Sequence, residues 1–234
     1  MRVVNFVIIN LITNFYIQLQ IKCQIKIFLK NRNGFIMKFD KEYFTTINYT
    51  DYLDRYDRYE KLAIDVTDLL SKISLLDEKT KILDYGCAVG LLVEALTNIG
   101  YKDSYGYDIS EWATSQARKR KLNILDDVNK DDYDVTFCLD VLEHMYDDDI
   151  SKFLKDYSSD VLVLRIPVST DGGETFHLSI SKRDPTHINC KTKQQWMDIF
   201  RKYGYATFLN LNLYTIYDTP GVWSTVCLRS NNER

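Results

Sequence analysis

Two acids and one turn in this sequence are typed and spaced for ligand chemistry. In ILDYGCAVGLLVEAL, Ile82 to Leu96, a short apolar run carries Asp84 near its end, breaks into a turn of Gly86, Ala88 and Gly90, and resumes with helical spacing. Twenty-four residues after Asp84, Asp108 closes a second run in GYDIS. Small residues let a backbone pass close to a ligand, and an acid ending the second strand can accept hydrogen bonds from both hydroxyls of a ribose. A dinucleotide fingerprint would need G-x-G-x-x-G, and Gly86-x-Ala88-x-x-Leu91 departs from it at two positions. Asp84, two residues before the first glycine, would also repel a pyrophosphate. It suits a nucleoside ligand that carries a positive amine.

S-adenosylmethionine has an ammonium, a sulfonium and a ribose, and so fits both carboxylates. Its sulfonium is a strong electrophile, so a protein using it must align the acceptor and exclude water. A hydroxyl acceptor must also lose its proton. The three histidines are His144, His177 and His187. His187 is the candidate general base, because it stands in a polar loop with Asp184 three residues earlier to orient the ring. His144 and His177 are candidates for the acceptor side. In the tyrosine-rich stretch 40–59, Tyr52 and Tyr56 form a polar stripe suited to an acceptor, whereas Tyr59 is expected in ordinary packing. No Cys, His or acid spacing suggests a metal, and none is expected.

These groups need a scaffold, and the pattern supplies one. Apolar positions from Tyr59 to Ile73 recur with a 3.6-residue period, predicting a helix from about Asp54. Strands are then expected at Lys81–Tyr85, Ser104–Asp108, Leu122–Leu125 (weak), Asp134–Leu139, Val161–Ile166, Ala206–Leu213 and Trp223–Arg229. Helices are expected at Leu91–Ile99, Glu111–Arg120, Ile150–Tyr157 and Lys193–Tyr203, with a long polar loop after Pro167. Strands alternating with helices imply an α/β fold, a mostly parallel seven-stranded sheet covered on both faces. The basic run Arg118–Lys121 falls at a helix end, where cations are favoured.

The sequence resembles the class I S-adenosylmethionine-dependent methyltransferases over about residues 40–230. ILDYGCAVG is similar to their first motif, with Ala88 in place of a glycine, and GYDIS to their second acidic motif. YDVTFCLDVLEHM resembles the fourth-strand motif of the small-molecule branch, often sugar-modifying, with its Leu-Glu-His. VLVLRIPVS resembles the fifth strand, and RDPTHINCKTKQQWMDIFRKYGY the later Asp-x-x-His segment and helix. The resemblance implies a Rossmann-like, doubly wound fold with an N-terminal helical lid. It implies that Asp84 and the Gly86–Gly90 turn face the methionine part of the cofactor, that Asp108 binds the ribose, and that Ile109 lies beside the adenine. Leu139 and Asp140 would line the cofactor's other side, and Asp126 or Asp127 would reach the adenine amino group. No Asn/Asp-Pro-Pro-aromatic sequence ends the fourth strand, which counts against methylation of base nitrogens.

Composition narrows the function further. The 234 residues are 45% hydrophobic and 27% charged, as in a globular protein, and the net charge is −3. Residues 1–36 hold five basic and no acidic residues, leaving −8 for 37–234. That balance disfavours broad binding to nucleic acid or anionic lipid. The five scattered cysteines are expected to be free thiols in a reducing, cytoplasmic setting.

The expected function is methyl transfer to a small polar acceptor such as a sugar hydroxyl. The alternatives are an RNA or protein methyltransferase and a non-catalytic cofactor-binding relative. The domain is expected to be 37–234, with 37–76 as lid and 77–234 as core. Residues 1–36 read as an appended peptide, a membrane-associating leader, or translation from a start upstream of Met37. The third is preferred, because MKFDKEYF has the character of a natural beginning. A chain starting at Met37 is therefore expected to match the full chain in solubility and in ligand affinity by calorimetry.

Overall fold

A computed structural model describes residues 39–47, 51–129, 132–213 and 221–230. The proposed extension, 1–36, lies outside the described residues. Short helical turns at Tyr43–Ile47 and Tyr52–Asp54 lead into α1, Tyr56–Lys72. Its buried face consists of Leu62, Ala63, Val66, Thr67 and Leu70. The period picks out four of these but not Thr67, and of its other positions Leu69 is half-buried and Ile73 exposed at the helix end. On its exposed side Lys61 pairs with Asp65 at 2.8 Å and Lys72 with Asp68 at 2.6 Å. Such solvated pairs contribute about 0.3–0.5 kcal/mol each, far less than burying one leucine at about 1.5–3 kcal/mol. Packing therefore holds this helix in place.

From there the chain alternates as the sequence predicts. The elements are β1 Ile82–Tyr85, α2 Leu91–Asn98, β2 Ser104–Tyr107, α3 Glu111–Lys119, β3 Val135–Leu139, α4 Asp147–Lys152, β4 Val161–Pro167, α5 Ser179–Arg183, α6 Lys193–Lys202, β5 Tyr205–Leu211 and β6 Val222–Arg229. The sheet order is β2-β1-β3-β4-β6-β5. The first four strands run parallel, and β6 is antiparallel to both β4 and β5. Alternate residues serve opposite faces. Leu162, Leu164 and Ile166 join a core with Phe153, Trp196 and Phe200, while Val163 joins one with Leu62, Leu92 and Phe137.

The expected third strand, Leu122–Leu125, is reduced to one bridge between Ile124 and Gly106 of β2. The described sheet therefore has six strands rather than seven, with Ile124 marking the place of the seventh at its edge. The polar loop after Pro167 contains the short α5, which its sequence period was too brief to reveal. Helix α4 begins earlier than expected, at Asp147, with three aspartates in its first turn. Those acids complement the helix dipole. Among the described residues Cys87, Cys138, Cys190 and Cys227 are free thiols. No described helix is long and apolar enough to cross a membrane.

Strand order reverses beside β1, which has β2 on one side and β3 on the other. The crevice beyond the carboxyl ends of β1 and β3 is where this architecture receives ligands. The turn leaving β1 is tightly fitted. Gly86 has φ +84°, and a Cβ there would come 2.3 Å from Val141 Cγ2. At Gly90, with φ +81°, it would meet Leu122 Cδ1 at 2.8 Å. The sequence reading assigned these glycines to close approach of a ligand. The structure adds a second reason, positive φ and contact with Val141 and Leu122. Gly86→Ala is expected to cost roughly 2–4 kcal/mol in urea unfolding, and adding Val141→Ala to restore at least ~1 kcal/mol. An unchanged midpoint for Gly86→Ala would contradict this.

Candidate active site

Asp84 lies at the carboxyl end of β1, paired in register with Gly106 of β2, and Asp108 follows β2 directly. Asp84 is only 5% exposed. Burial, reinforced by the charge of Asp108, pushes its carboxyl up to about 8. Asp108 is raised to about 6 by burial, although backbone amides pull it back. The amide of Ala88 donates to its Oδ2 at 2.8 Å and that of Ser110 to Oδ1 at 2.7 Å. Asp108 thus ties the turn after β1 to the start of α3, whose first turn Ser110 caps by accepting from Ala113 N. Ala88, at φ 49°, holds a left-handed conformation that its amide bond to Asp108 helps to fix.

An aromatic cover lies over this turn. Tyr43 and Phe44 cluster with Ala88, Val89, Leu91 and Ala113, and Phe44 stacks on Trp112. The carbonyl of Phe39 accepts from Ser110 Oγ, and Tyr43 donates to Asp184 Oδ2 at 3.4 Å. Residues 39–47 therefore touch both the turn after β1 and the loop after β4.

Beyond β3 and β4 a second buried group lines a small cavity, formed in part by Asp140, Glu143, Arg165, Asp184 and His187. Asp140 is ion-paired to Arg165, which is 1% exposed in the middle of β4. Glu143 is fully buried, and neither of its carboxyl oxygens makes a hydrogen bond. Burial and the nearby Asp140 push it well above the usual carboxylate range. His187 Nε2 is 3.7 Å from Asp184 Oδ2 and 3.9 Å from Glu143 Oε1. Burial lowers its pKa, with Asp184 and Asp140 pulling the other way, so the ring is neutral at pH 7. His144 packs edge-on against His187, with centroids 4.6 Å apart, and burial and His187 lower it to about 3.

Residues 54–208, about two thirds of the chain, match the family model described as a methyltransferase domain. The chain belongs to the methyltransferase domain family. By family and fold it is a class I S-adenosylmethionine-dependent methyltransferase. Magnesium protoporphyrin IX methyltransferase of Synechocystis PCC 6803, crystallised with bound SAH, is 19% identical, with 81% of this chain and 98% of that chain covered and a TM-score of 0.57. The methyltransferase domain of bacterial CtHen1-C is 17% identical over 74% of this chain and 99% of its own, with a TM-score of 0.51. The [4+2]-cyclase SpnF is 16% identical over 70% and 80%, with a TM-score of 0.53. No curated protein matches by sequence.

The methyltransferase places its sequence-predicted residues unevenly. Asp84, Gly86, Ala88, Gly90 and Asp108 share the end of β1–β2, and Ile109 is 47% exposed beside them. Leu139 ends β3 and Asp140 follows it, across the point of reversed strand order. Asp140 also reaches the second cavity through Arg165. Tyr52 bonds Tyr59 at 3.3 Å, hydroxyl to hydroxyl. Tyr59 packs against two apolar clusters, as expected, and burial raises it to about 12, with Asp140 and Asp84 adding to the shift. Tyr56 accepts from Asn98 Nδ2 at 2.7 Å, an attachment to the end of α2. His177 contacts Thr170 Oγ1 at 3.1 Å in an exposed loop. Asp126 pairs with Arg118 at 2.8 Å, and Arg120 binds Glu94 and the carbonyl of Val89. The basic run thus braces the turn after β1. Sequence reasoning missed Glu143 and Arg165 as site residues; a lone arginine inside the apolar run VLVLRIP was the available signal for the second.

The residues at the end of β1 and β2 fit S-adenosylmethionine. Asp84 is a buried acid and Asp108 a half-buried one of like charge, an arrangement that an ammonium group relieves. Asp84 would hold that group and Asp108 the ribose. Since Asp84 is mostly protonated at pH 7 without the donor, binding an ammonium must expel a proton. Calorimetry at pH 7 in buffers of different ionisation enthalpy should show release approaching one proton, and no release would contradict the assignment. The raised folded pKa also means that Asp84 costs stability increasingly as pH rises from about 4 to 8. Asp84→Asn should therefore lose donor affinity, yet raise the ligand-free Tm at pH 8 by at least roughly 2 °C.

Proposed function

We propose that the enzyme methylates a hydroxyl of a small polar acceptor, a sugar or related metabolite, held in the cavity beyond β3 and β4. The observation that carries this reading is the neutral, buried His187 between Asp184 and Glu143. S-adenosylmethionine supplies the electrophilic methyl group. Asp84 and Asp108 fix the donor, and Leu139 with Asp140 flank it from β3. His144, Tyr52, Tyr56 and His177 are the proposed acceptor contacts, of which His144 lies deepest. Residues 39–47 cover the turn after β1 and exclude water from it.

A ring nitrogen of His187 takes the hydroxyl proton. Asp184 stabilises the resulting imidazolium. Burial raises Asp184, but hydrogen bonds from Thr186 and the charge of His187 outweigh it and keep its pKa below the ordinary value. Among the residues lining the cavity, Asp140 and Asp184 outnumber the one guanidinium, Arg165, which makes it a poor host for phosphate. That favours a neutral acceptor over RNA.

A tritiated-methyl screen over sugars, small acids, RNA and protein extracts tests the acceptor class. Label entering RNA or protein alone, or no pool at all, would overturn it. His187→Ala should lower turnover about 100-fold with donor affinity intact. It should also abolish an acid limb lying below the ordinary histidine range. A loss below tenfold would return His187 to a structural role.

A further inference from the structure

The geometry points to a divalent transition-metal site formed by Glu143, His144 and His187. A carboxylate oxygen of Glu143 and one ring nitrogen from each histidine lie within 4.8 Å of one another. Ligand atoms around an ion with bonds near 2.1 Å stand about 3–4 Å apart, so contraction by roughly an ångström closes the set. Independently, Glu143 is fully buried with both carboxyl oxygens lacking hydrogen bonds, and His187 Nε2 lies 3.9 Å from its Oε1. Such a carboxyl is costly to leave unmatched, and a cation held between it and the imidazoles satisfies it.

The hydrogen bonds around His144 leave its other nitrogen ready to ligate. Asp184 Oδ1 accepts from Thr186 N at 2.9 Å and from Thr186 Oγ1 at 2.6 Å. The hydroxyl proton of Thr186 is therefore committed to Asp184, and its oxygen must accept from His144 Nδ1, 2.8 Å away. The carbonyl of Thr186 lies 3.2 Å from the same nitrogen. His144 thus carries its proton on Nδ1 and presents a lone pair on Nε2. This is how outer-shell partners orient metal-binding imidazoles.

Charge points the same way. Among the residues lining the cavity, Asp140 and Asp184 outnumber the one arginine, Arg165, so acid is in excess even with Glu143 neutral, and a cation is favoured. One oxygen with two imidazole nitrogens suits manganese, iron, cobalt or zinc better than magnesium or calcium, which prefer all-oxygen sets. Sequence spacing concealed the trio, because His187 is 43 residues beyond His144. With the ion bound, His187 would serve as a ligand rather than as the base, and an acceptor hydroxyl held there would be acidic enough to lose its proton to water; without the ion, the ring takes the proton directly.

The test reads metal binding alone, so it stands or falls separately from the acceptor reading. Full-length protein stripped with chelator is titrated calorimetrically with manganese, zinc or magnesium chloride. One equivalent of manganese or zinc should bind, at least tenfold tighter than magnesium. Glu143→Gln and His187→Gln should each weaken manganese binding at least tenfold, and the surface variant Asp68→Asn should not. Should the buried variants fail to fold, electron-spin-echo spectra of manganese-loaded wild-type protein should show two imidazole nitrogens. Absence of saturable binding up to millimolar ion, binding indifferent to both variants, or a bound ion without histidine nitrogens would overturn the site.

Discussion

A buried carboxylate, Asp84, beside a half-buried one, Asp108, at the ends of β1 and β2 is the constraint around which this structure is arranged. Asp108 is tolerated because the amides of Ala88 and Ser110 donate to it, which also fixes the turn after β1 and the start of α3. Asp84 has a like charge for a neighbour and a strongly raised pKa. Burying such a group costs stability, and folds carry that cost where a ligand of opposite charge relieves it. Arg120 on the Val89 carbonyl, Val141 against Gly86 and the aromatic cover from residues 39–47 all hold this one region in shape.

The second cavity depends on the first through shared elements. Asp140 follows β3, pairs with Arg165 of β4, and also acts electrostatically on Tyr59, which the charge of Asp84 reaches as well. Tyr43 contacts both Asp184 and the cluster over the turn after β1. A change at the turn after β1 therefore has a physical route to the cavity beyond β3 and β4. The likeness of this fold to a cyclase as well as to methyltransferases shows why the acceptor chemistry must be argued from those loops rather than from the sheet.

The sheet was largely legible in the sequence because its parallel strands are buried on both faces and read as apolar runs closed by polar residues. Asp84 and Asp108 were legible for the same reason, as acids closing such runs. The weak strand at Leu122–Leu125 shrank to a bridge because it lies on the edge, where pairing and burial reward few residues. Tyr59 shows the reach and the limit of periodicity: its packing on the helical stripe is legible, but the bond of its hydroxyl to Tyr52 is not. The Asp184–Thr186–His144 relay and Glu143 beside His187 were hidden, since chain separation of some 40 residues carries no spacing signal. Gly86 was recognised as a turn residue, while its contact with Val141 needed the packed β3 end to be seen.

The central claim is that Asp84 is a buried acid awaiting a cationic ligand. Carbon-13 carboxyl NMR of aspartate-labelled protein, titrated with and without S-adenosylmethionine, measures that directly. The account requires the Asp84 resonance to titrate near 8 in the free protein and to move well below that value when the donor is bound. Titration near 4 in the free protein, or a midpoint unmoved by saturating donor, would contradict it.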